Sequence, residues 1–277
     1  MIEFITSNPL LIAGVLAAGF AAGFAGGLFG IGGGIITVPA LYAVFTSIGV
    51  DEAQSLKTAI GTSLGVIIVT SIRALMTHHR AGHVDGDILR AWAPWIALGA
   101  AGGGLVAKWA PVELLTIVFA GGALYIAWRR LAGGSKKKSG TSHRLLHGSV
   151  KIPVGLGTGF FSSLMGLGGG AVGVLVMTAS GRAIHQAIAT AAGFGVAVAA
   201  PGVIGFVLAG RGDLALPPGS LGYFNAPAFV AMALMAGIAA PLGALTAHRV
   251  HGEILSKLFG AYVLVAAIGL VLDVFTG

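Results

Sequence analysis

Gly23-Phe24-Ala25-Gly26-Gly27-Leu28-Phe29-Gly30-Ile31-Gly32-Gly33-Gly34 has a second copy further along the chain. That copy reads Gly159-Phe160-Phe161-Ser162-Ser163-Leu164-Met165-Gly166-Leu167-Gly168-Gly169-Gly170. Each copy sits in apolar sequence and ends in a glycine triplet. In a water-soluble chain such a triplet marks a loop. Inside a membrane it marks a broken helix, whose freed backbone groups can hold an ion. The doubled phrase therefore predicts both the architecture and the place of the chemistry.

Composition fixes the surroundings of that phrase. Of 277 residues, 56% are hydrophobic and 9% charged, with a mean hydropathy of +0.94. Soluble domains carry about 25% charged residues, so this chain reads as an integral membrane protein with the lipid bilayer as its main partner. Apolar runs near 20 residues favour helices over a barrel, whose strands would alternate. The net charge of +7 is concentrated: Arg129, Arg130, Lys136, Lys137, Lys138, Arg144 and Lys151 crowd one stretch. That is the signature of a cytosolic loop, not of a nucleic-acid surface. Cysteine is absent, which removes disulfides, thiol catalysis and iron–sulfur clusters. The first residues hold Glu3 and no basic side chain, so no ordinary leader is expected before the first span.

The repeat extends past the glycines. Gln54, Thr58, Ala59 and Gly61 recur as Gln186, Thr190, Ala191 and Gly193, and Leu105, Ala107, Glu113, Leu115 and Phe119 recur as Leu245, Ala247, Glu253, Leu255 and Phe259. The expected organisation is a first repeat, 1–131, a basic cytosolic linker, 132–150, and a second repeat, 151–277. Apolar segments lie near 10–29, 35–47, 57–77, 88–107 and 112–131, then near 151–167, 171–181, 186–209, 222–247 and 253–275. The second segment of each half is short. At 1.5 Å per residue, 35–47 reaches only about 20 Å against a hydrocarbon core of about 30 Å. The first two segments of each half thus read as a hairpin broken at its triplet. A hairpin returns to its own side, so each half makes an odd number of crossings and the halves are inverted. With the linker inside, Arg73, Arg80, Arg90, Arg182, Arg249 and Lys257 fall inside. Glu3, Asp51, Glu52, Asp213 and Asp273 fall outside, with Lys108 and Arg211 against the trend. The expected fold class is an all-α integral membrane protein of two inverted repeats of five hydrophobic segments each, with both termini outside.

Candidate ligands follow from the breaks. Half-helix N-termini point N–H groups at anions, which selects Gly32, Gly33 and Gly34 with Gly168, Gly169 and Gly170. Gly19-x-x-x-Gly23 and Gly26-x-x-x-Gly30 read as helix packing. Gln54, Lys57, Thr58, Thr62 and Ser63 supply amide, ammonium and hydroxyl donors, with Gln54 and Thr58 on one helix face. The second half offers Gln186 and Thr190, with Ala189 in the place of the lysine. The alternatives stay open: hydroxyls bonded to the preceding turn, and Lys57 snorkelling outward near Asp51 and Glu52. His78 and His79 read as solvated loop residues, and His185 as a proton-relay candidate. Glu113 and Glu253 read as carboxylates at helix starts, where the dipole favours them. Gly61-Thr62-Ser63-Leu64-Gly65 matches a nucleophile elbow by chance, since it lies in an apolar helix. Gly166-x-Gly168-x-x-Ala171 lacks the βαβ setting of a dinucleotide site. No metal, no cofactor and no catalytic residue are expected.

The glycine-rich phrase, followed by Thr58-Ala59-Ile60-Gly61-Thr62-Ser63-Leu64 and the loop Gly82-His83-Val84-Asp85, resembles the sulfite exporter TauE/SafE family over essentially the whole chain. The resemblance implies a cytoplasmic-membrane permease for sulfite, a sulfonate or another small organic anion. Gly193-Phe194-Gly195 stands where the first half has Gly61-Thr62-Ser63, so the halves would contribute unequally. The expected activity is secondary transport by alternating access. The rivals are a passive anion channel and a membrane-embedded enzyme. The enzyme would need titratable groups in the spans that the sequence does not offer. Oligomeric state leaves no mark in the sequence.

Overall fold

A computed structural model describes residues 9–111 and 150–251 continuously, with isolated positions between 113 and 128 and between 254 and 265. The 132–150 linker, apart from Val150, and most of the fifth segment of each half lie outside the described residues. Within them the chain forms α1 (Pro9–Phe29), α2 (Gly34–Ser47), α3 (Glu52–Arg80), α4 (Gly86–Val106), α5 (Lys151–Leu164), α6 (Gly170–Ala179), α7 (Ile184–Ala209), a two-strand ribbon of β1 (Ser220–Leu221) and β2 (Phe224–Asn225), and α8 (Ala226–Arg249). Helices α3, α7 and α8 are long and apolar enough to cross a membrane.

Both expected helix breaks are present. Helix α1 stops at Phe29 and α2 starts at Gly34, with Gly33 at φ +84°. Helix α5 stops at Leu164 and α6 starts at Gly170, with Gly169 at φ +65°. An L side chain in the left-handed region costs about 1–2 kcal/mol, so glycine is what makes both turns affordable. Helix α2 has 14 residues and α6 has 10, both too short to span.

The ribbon corrects one expected boundary. Residues 222–225 are not helical: Leu221 pairs with Phe224 and Ser220 with Asn225 across a turn at Gly222. Pro217, Pro218, Gly219 and Gly222 hold this stretch out of a helix. Asn225 then caps α8 by accepting the Ala228 N–H at 3.0 Å.

Helices exchange neighbours across the chain. Helix α1 packs on α8 and α5 on α4, while α3 and α7 pack on each other. Gly23 lies against the backbone of Ala236, and Gly159 against that of Ile96 and Ala100. Gly243 lies against the Phe24 carbonyl, and Gly103 against the Phe160 carbonyl. Gly23 with Gly159, and Phe24 with Phe160, hold the same places in the doubled phrase, so the same contacts are made twice. Gly19 also abuts Met232, so the Gly19/Gly23 pair packs helices as expected. Around the breaks stand Ile31, Ile35, Ile60, Leu64, Ile67 and Val198, all buried.

Candidate functional site

The two breaks meet inside the bundle. A side chain on Gly34 would collide with the Gly166 carbonyl, and one on Gly170 with the Gly30 carbonyl. Gly30 and Gly166 are counterparts, as are Gly34 and Gly170, so the contact is reciprocal. Gly168 completes it, facing the Ile31 carbonyl. Each short helix therefore starts where the other hairpin turns. Ile36 and Thr37 N–H groups donate to the Gly33 carbonyl at 3.0 and 3.2 Å, and Gly173 N–H to the Gly169 carbonyl at 2.9 Å. The groups left for another partner are those ahead of them, at the first positions of each short helix in one buried region.

Hydroxyls from α3 and α2 surround this junction. Ser63 donates to the Gly166 carbonyl at 3.2 Å and pairs with Thr37 at 2.5 Å. Thr70 donates to the Gly32 carbonyl at 2.8 Å. Ser71 is 1% exposed and its hydroxyl has no partner. It lies between Gly32 and Gly195, close enough that a side chain on either would meet it. Ser163, fully buried beside Gly202, is likewise unpartnered. Of these side chains only Ser63 was expected at the site. Thr70-Ser71 and Ser162-Ser163 are hydroxyl doublets in apolar helices, and that was the available signal.

The remaining candidates spread along α3 and α7. Gln54 Oε1 and Thr58 Oγ1 are buried without partners, on the shared face expected of them. Thr62 accepts the Asn225 N–H at 2.9 Å, and Thr190 accepts the Asp85 N–H at 2.9 Å. Asn225 and Asp85 both cap the next helix through a side-chain oxygen, on Ala228 N–H and Ile88 N–H. The counterpart of Thr190 by bonding is thus Thr62, one helical turn from the Thr58 that sequence matching selects. Gln186 is half-buried.

Lys57 turns away from the breaks. Its ammonium donates to the Lys108 carbonyl at 3.1 Å and stands 5.7 Å from the centre of the Tyr223 ring. Tyr223 in turn donates to Asp213 at 3.2 Å. Burial, and then the neighbouring Asp213 carboxylate, push the Tyr223 phenol up to about 12, so it stays a neutral donor. This cluster sits near the start of α3. The last turn of the same helix, about 30 Å away, holds a second cluster. There His78 meets His248, and Asp85 pairs with Arg182 at 3.1 Å. His78 is 1% exposed and helical, not the solvated loop residue its sequence neighbours suggest; His79 is exposed.

The family profile described as Sulfite exporter TauE/SafE matches residues 15–270. The chain belongs to the TauE/SafE family. A protein from Haemophilus influenzae named probable membrane transporter protein is 33% identical over 245 residues, covering 88% of this chain and 92% of that relative. A probable membrane transporter protein from Methanocaldococcus jannaschii is 28% identical over 239 residues, covering 84% and 83% of the two chains. No solved structure matches. With its apolar spanning helices, this TauE/SafE protein is a membrane protein of a transporter family.

Proposed function

We propose that the chain is a secondary transporter that moves a small sulfur-containing or organic anion, such as sulfite or a sulfonate, across the cytoplasmic membrane by alternating access. The observation that carries this reading is the meeting of two half-helix N-termini in a buried, hydroxyl-lined junction. Helix N-termini favour anions, and a hydroxyl such as that of Ser71 can donate to one. Gly32, Gly33 and Gly34 with Gly168, Gly169 and Gly170 form the binding backbone, helped by Ser63, Thr70 and Ser71. Gln54, Thr58 and Thr62 mark the way in along α3, with Gln186 and Thr190 beside the opposite opening. Lys57 draws anions toward the approach and does not touch the central site. The reading as a carrier in place of an enzyme rests on family membership and on this site chemistry.

In this proposal the chain divides at the 132–150 linker into two inverted repeats. The reciprocal Gly34–Gly166 and Gly170–Gly30 contacts support it, as does the exchange of helices between halves. So does the sorting of charge along α3: Lys108 and Asp213 group at one end, Arg80, Arg182 and Arg249 at the other. With the linker inside, the Asp213 end is exterior. Cysteine scanning tests this cleanly, since the chain has no cysteine of its own. A cysteine at Arg80 should react with an impermeant maleimide only from the cytosol, and one at Leu214, 99% exposed, only from outside. Reaction of both from one side overturns the inversion.

The function itself is tested in proteoliposomes loaded with sulfite, isethionate, taurine or lactate. Saturable flux with counterflow is expected for at least one anion. Flux proportional to concentration without counterflow would make the protein a channel. In the same assay Lys57→Met should lower the apparent association rate but change affinity by less than about threefold, under about 0.7 kcal/mol. A loss of tenfold or more (about 1.4 kcal/mol) would return Lys57 to the binding site.

A further inference from the structure

Three imidazoles, two from the end of α3 and the loop after it and one from α8, converge where α1, α3 and α8 meet. His78, in the last turn of α3, has its Nε2 3.2 Å from the Gly27 carbonyl and its Nδ1 3.3 Å from Nε2 of His248, in the last turn of α8. His83 stacks on His248 with ring centres 4.7 Å apart. The proton positions follow from the bonding. A carbonyl only accepts, so His78 carries its proton on Nε2 and accepts on Nδ1. His248 then donates from Nε2, leaving Nδ1 as a bare lone pair. That atom is buried and without a partner.

We propose that the His78–His248–His83 cluster is a proton-binding site, and that protonation opens this end of the bundle. One proton can enter the pair in two ways. It can settle on His248 Nδ1, or it can settle on His78 while His248 shifts its own proton to Nδ1. Both ways leave an N–H at His248 Nδ1 with no acceptor and place a charge beside a nearly inaccessible His78. A second proton sets two N–H groups against each other and breaks the His78–His248 bond. The neighbouring charges do not relieve this. Asp85 is the nearest carboxylate in the loop after α3, and it is held by Arg182 at 3.1 Å. Helix α7 brings His185, whose Nε2 is 3.1 Å from the Val250 carbonyl. Arg80, Arg249 and His251 add positive or titratable groups at the same end, with His79 exposed on α3, and the described part of α1 carries no charged residue. Rings that stack and chain head to tail do not aim their nitrogens at one point, and among the described residues no cluster has metal-binding geometry.

The lock has reach. The Gly27 carbonyl that His78 holds lies on α1 just before the break at Gly30, and Gly27 itself packs on Ala240 and Ala244 of α8. Separating His78 from His248 removes the link from α8 through His78 to the Gly27 carbonyl, and so loosens α8 from α3 and α1 beside the glycine junction. An open form that accepts protons more readily than the closed one is populated by acid. The coupling of this lock to anion flux rests on the transporter reading; the lock itself does not.

The test therefore uses no substrate. A cysteine replacing Ala74, 1% exposed and one turn before His78, reports opening; one replacing exposed Ala81 corrects for thiol ionisation. The Ala74-to-Ala81 labelling ratio of purified protein should rise about tenfold from about pH 8 to about pH 5.5, the range in which histidines titrate. It should stay flat in His78→Gln and in His248→Gln. Nitrogen NMR of histidine-labelled parent protein gives an independent reading. His78 should show the Nε2–H tautomer at neutral pH and titrate together with His248. A ratio that does not change with pH in the parent, a rise that survives both variants, or an Nδ1–H tautomer at His78 would each overturn the proposal. If either glutamine variant fails to fold, the parent ratio and the tautomer still decide it.

Discussion

Gly33→Leu is expected to abolish anion flux, by at least about a hundredfold, about 2.7 kcal/mol in rate terms, while the protein still reaches the membrane. Gly33 sits at φ +84°, and a side chain there strikes the Ala22 carbonyl on α1, the first arm of its own hairpin. The turn must open, and the N-terminus of α2 leaves the junction. Gly169→Leu should do the same through the other arm. The smaller alanine separates the two positions. At Gly33 the added carbon meets backbone, which cannot yield; at Gly169, φ +65°, it first meets a methyl of Val198, 2.6 Å away, which can shift. Gly33→Ala should therefore lose more flux than Gly169→Ala, although both carry the left-handed penalty of about 1–2 kcal/mol. Gly157→Ala, in α5 with nothing within 4 Å of the added carbon, is the control and should transport normally. Flux in proteoliposomes, normalised to folded protein, measures the series. Normal transport by Gly33→Leu and Gly169→Leu would remove the glycine junction from the mechanism.

The largest expected loss of stability comes from Asn225→Leu. Asn225 is fully buried, and its side chain is almost wholly used. The amide donates to the Pro218 carbonyl at 3.1 Å and the Ser220 hydroxyl at 3.0 Å, and its oxygen accepts the Ala228 N–H. Leucine fits the volume but removes the cap, about 1 kcal/mol, and strands buried groups that each cost about 1–3 kcal/mol. The expected total is about 3 kcal/mol. Asp85→Ala, at the corresponding cap of α4, should cost less. Asp85 and its partner Arg182 are both only partly buried, and ion pairs with this much solvent contact contribute about 0–1 kcal/mol. Thermal unfolding of both variants in one detergent orders them. Equal losses would mean that the ribbon does not hold α8 as described.

What was legible in the sequence is what depends on local composition. The glycine triplets predicted two helix breaks because few other residues tolerate such turns inside an apolar run, and the breaks fall at Gly33 and Gly169. The shortness of α2 and α6 followed from residue counts. So did the membrane setting, because a chain with 9% charged residues cannot cover itself for water. The Gln54–Thr58 face was visible too, since positions four apart share a side of any helix.

Only the tertiary structure decided which polar groups are occupied and which are not. Thr62 and Thr190 stand as hydroxyl candidates in the sequence, and the structure adds that each accepts a backbone N–H from a loop 163 or 105 residues away. Ser71 looked unremarkable, yet it is the unpartnered hydroxyl between Gly32 and Gly195. The matching of Thr58 with Thr190 slipped by one turn for a definite reason. A shift of four residues keeps a helix face unchanged, so pattern alone cannot tell one turn from the next; a hydrogen bond of fixed length can. The sequence allows Lys57 either an anion or the surface as partner, and in the structure its ammonium donates to the Lys108 carbonyl at 3.1 Å. The histidine cluster was invisible for the same cause. Gly27, the 78–83 stretch that carries His78 and His83, and His248 are far apart in the chain, and only the packing of α1, α3 and α8 brings them together.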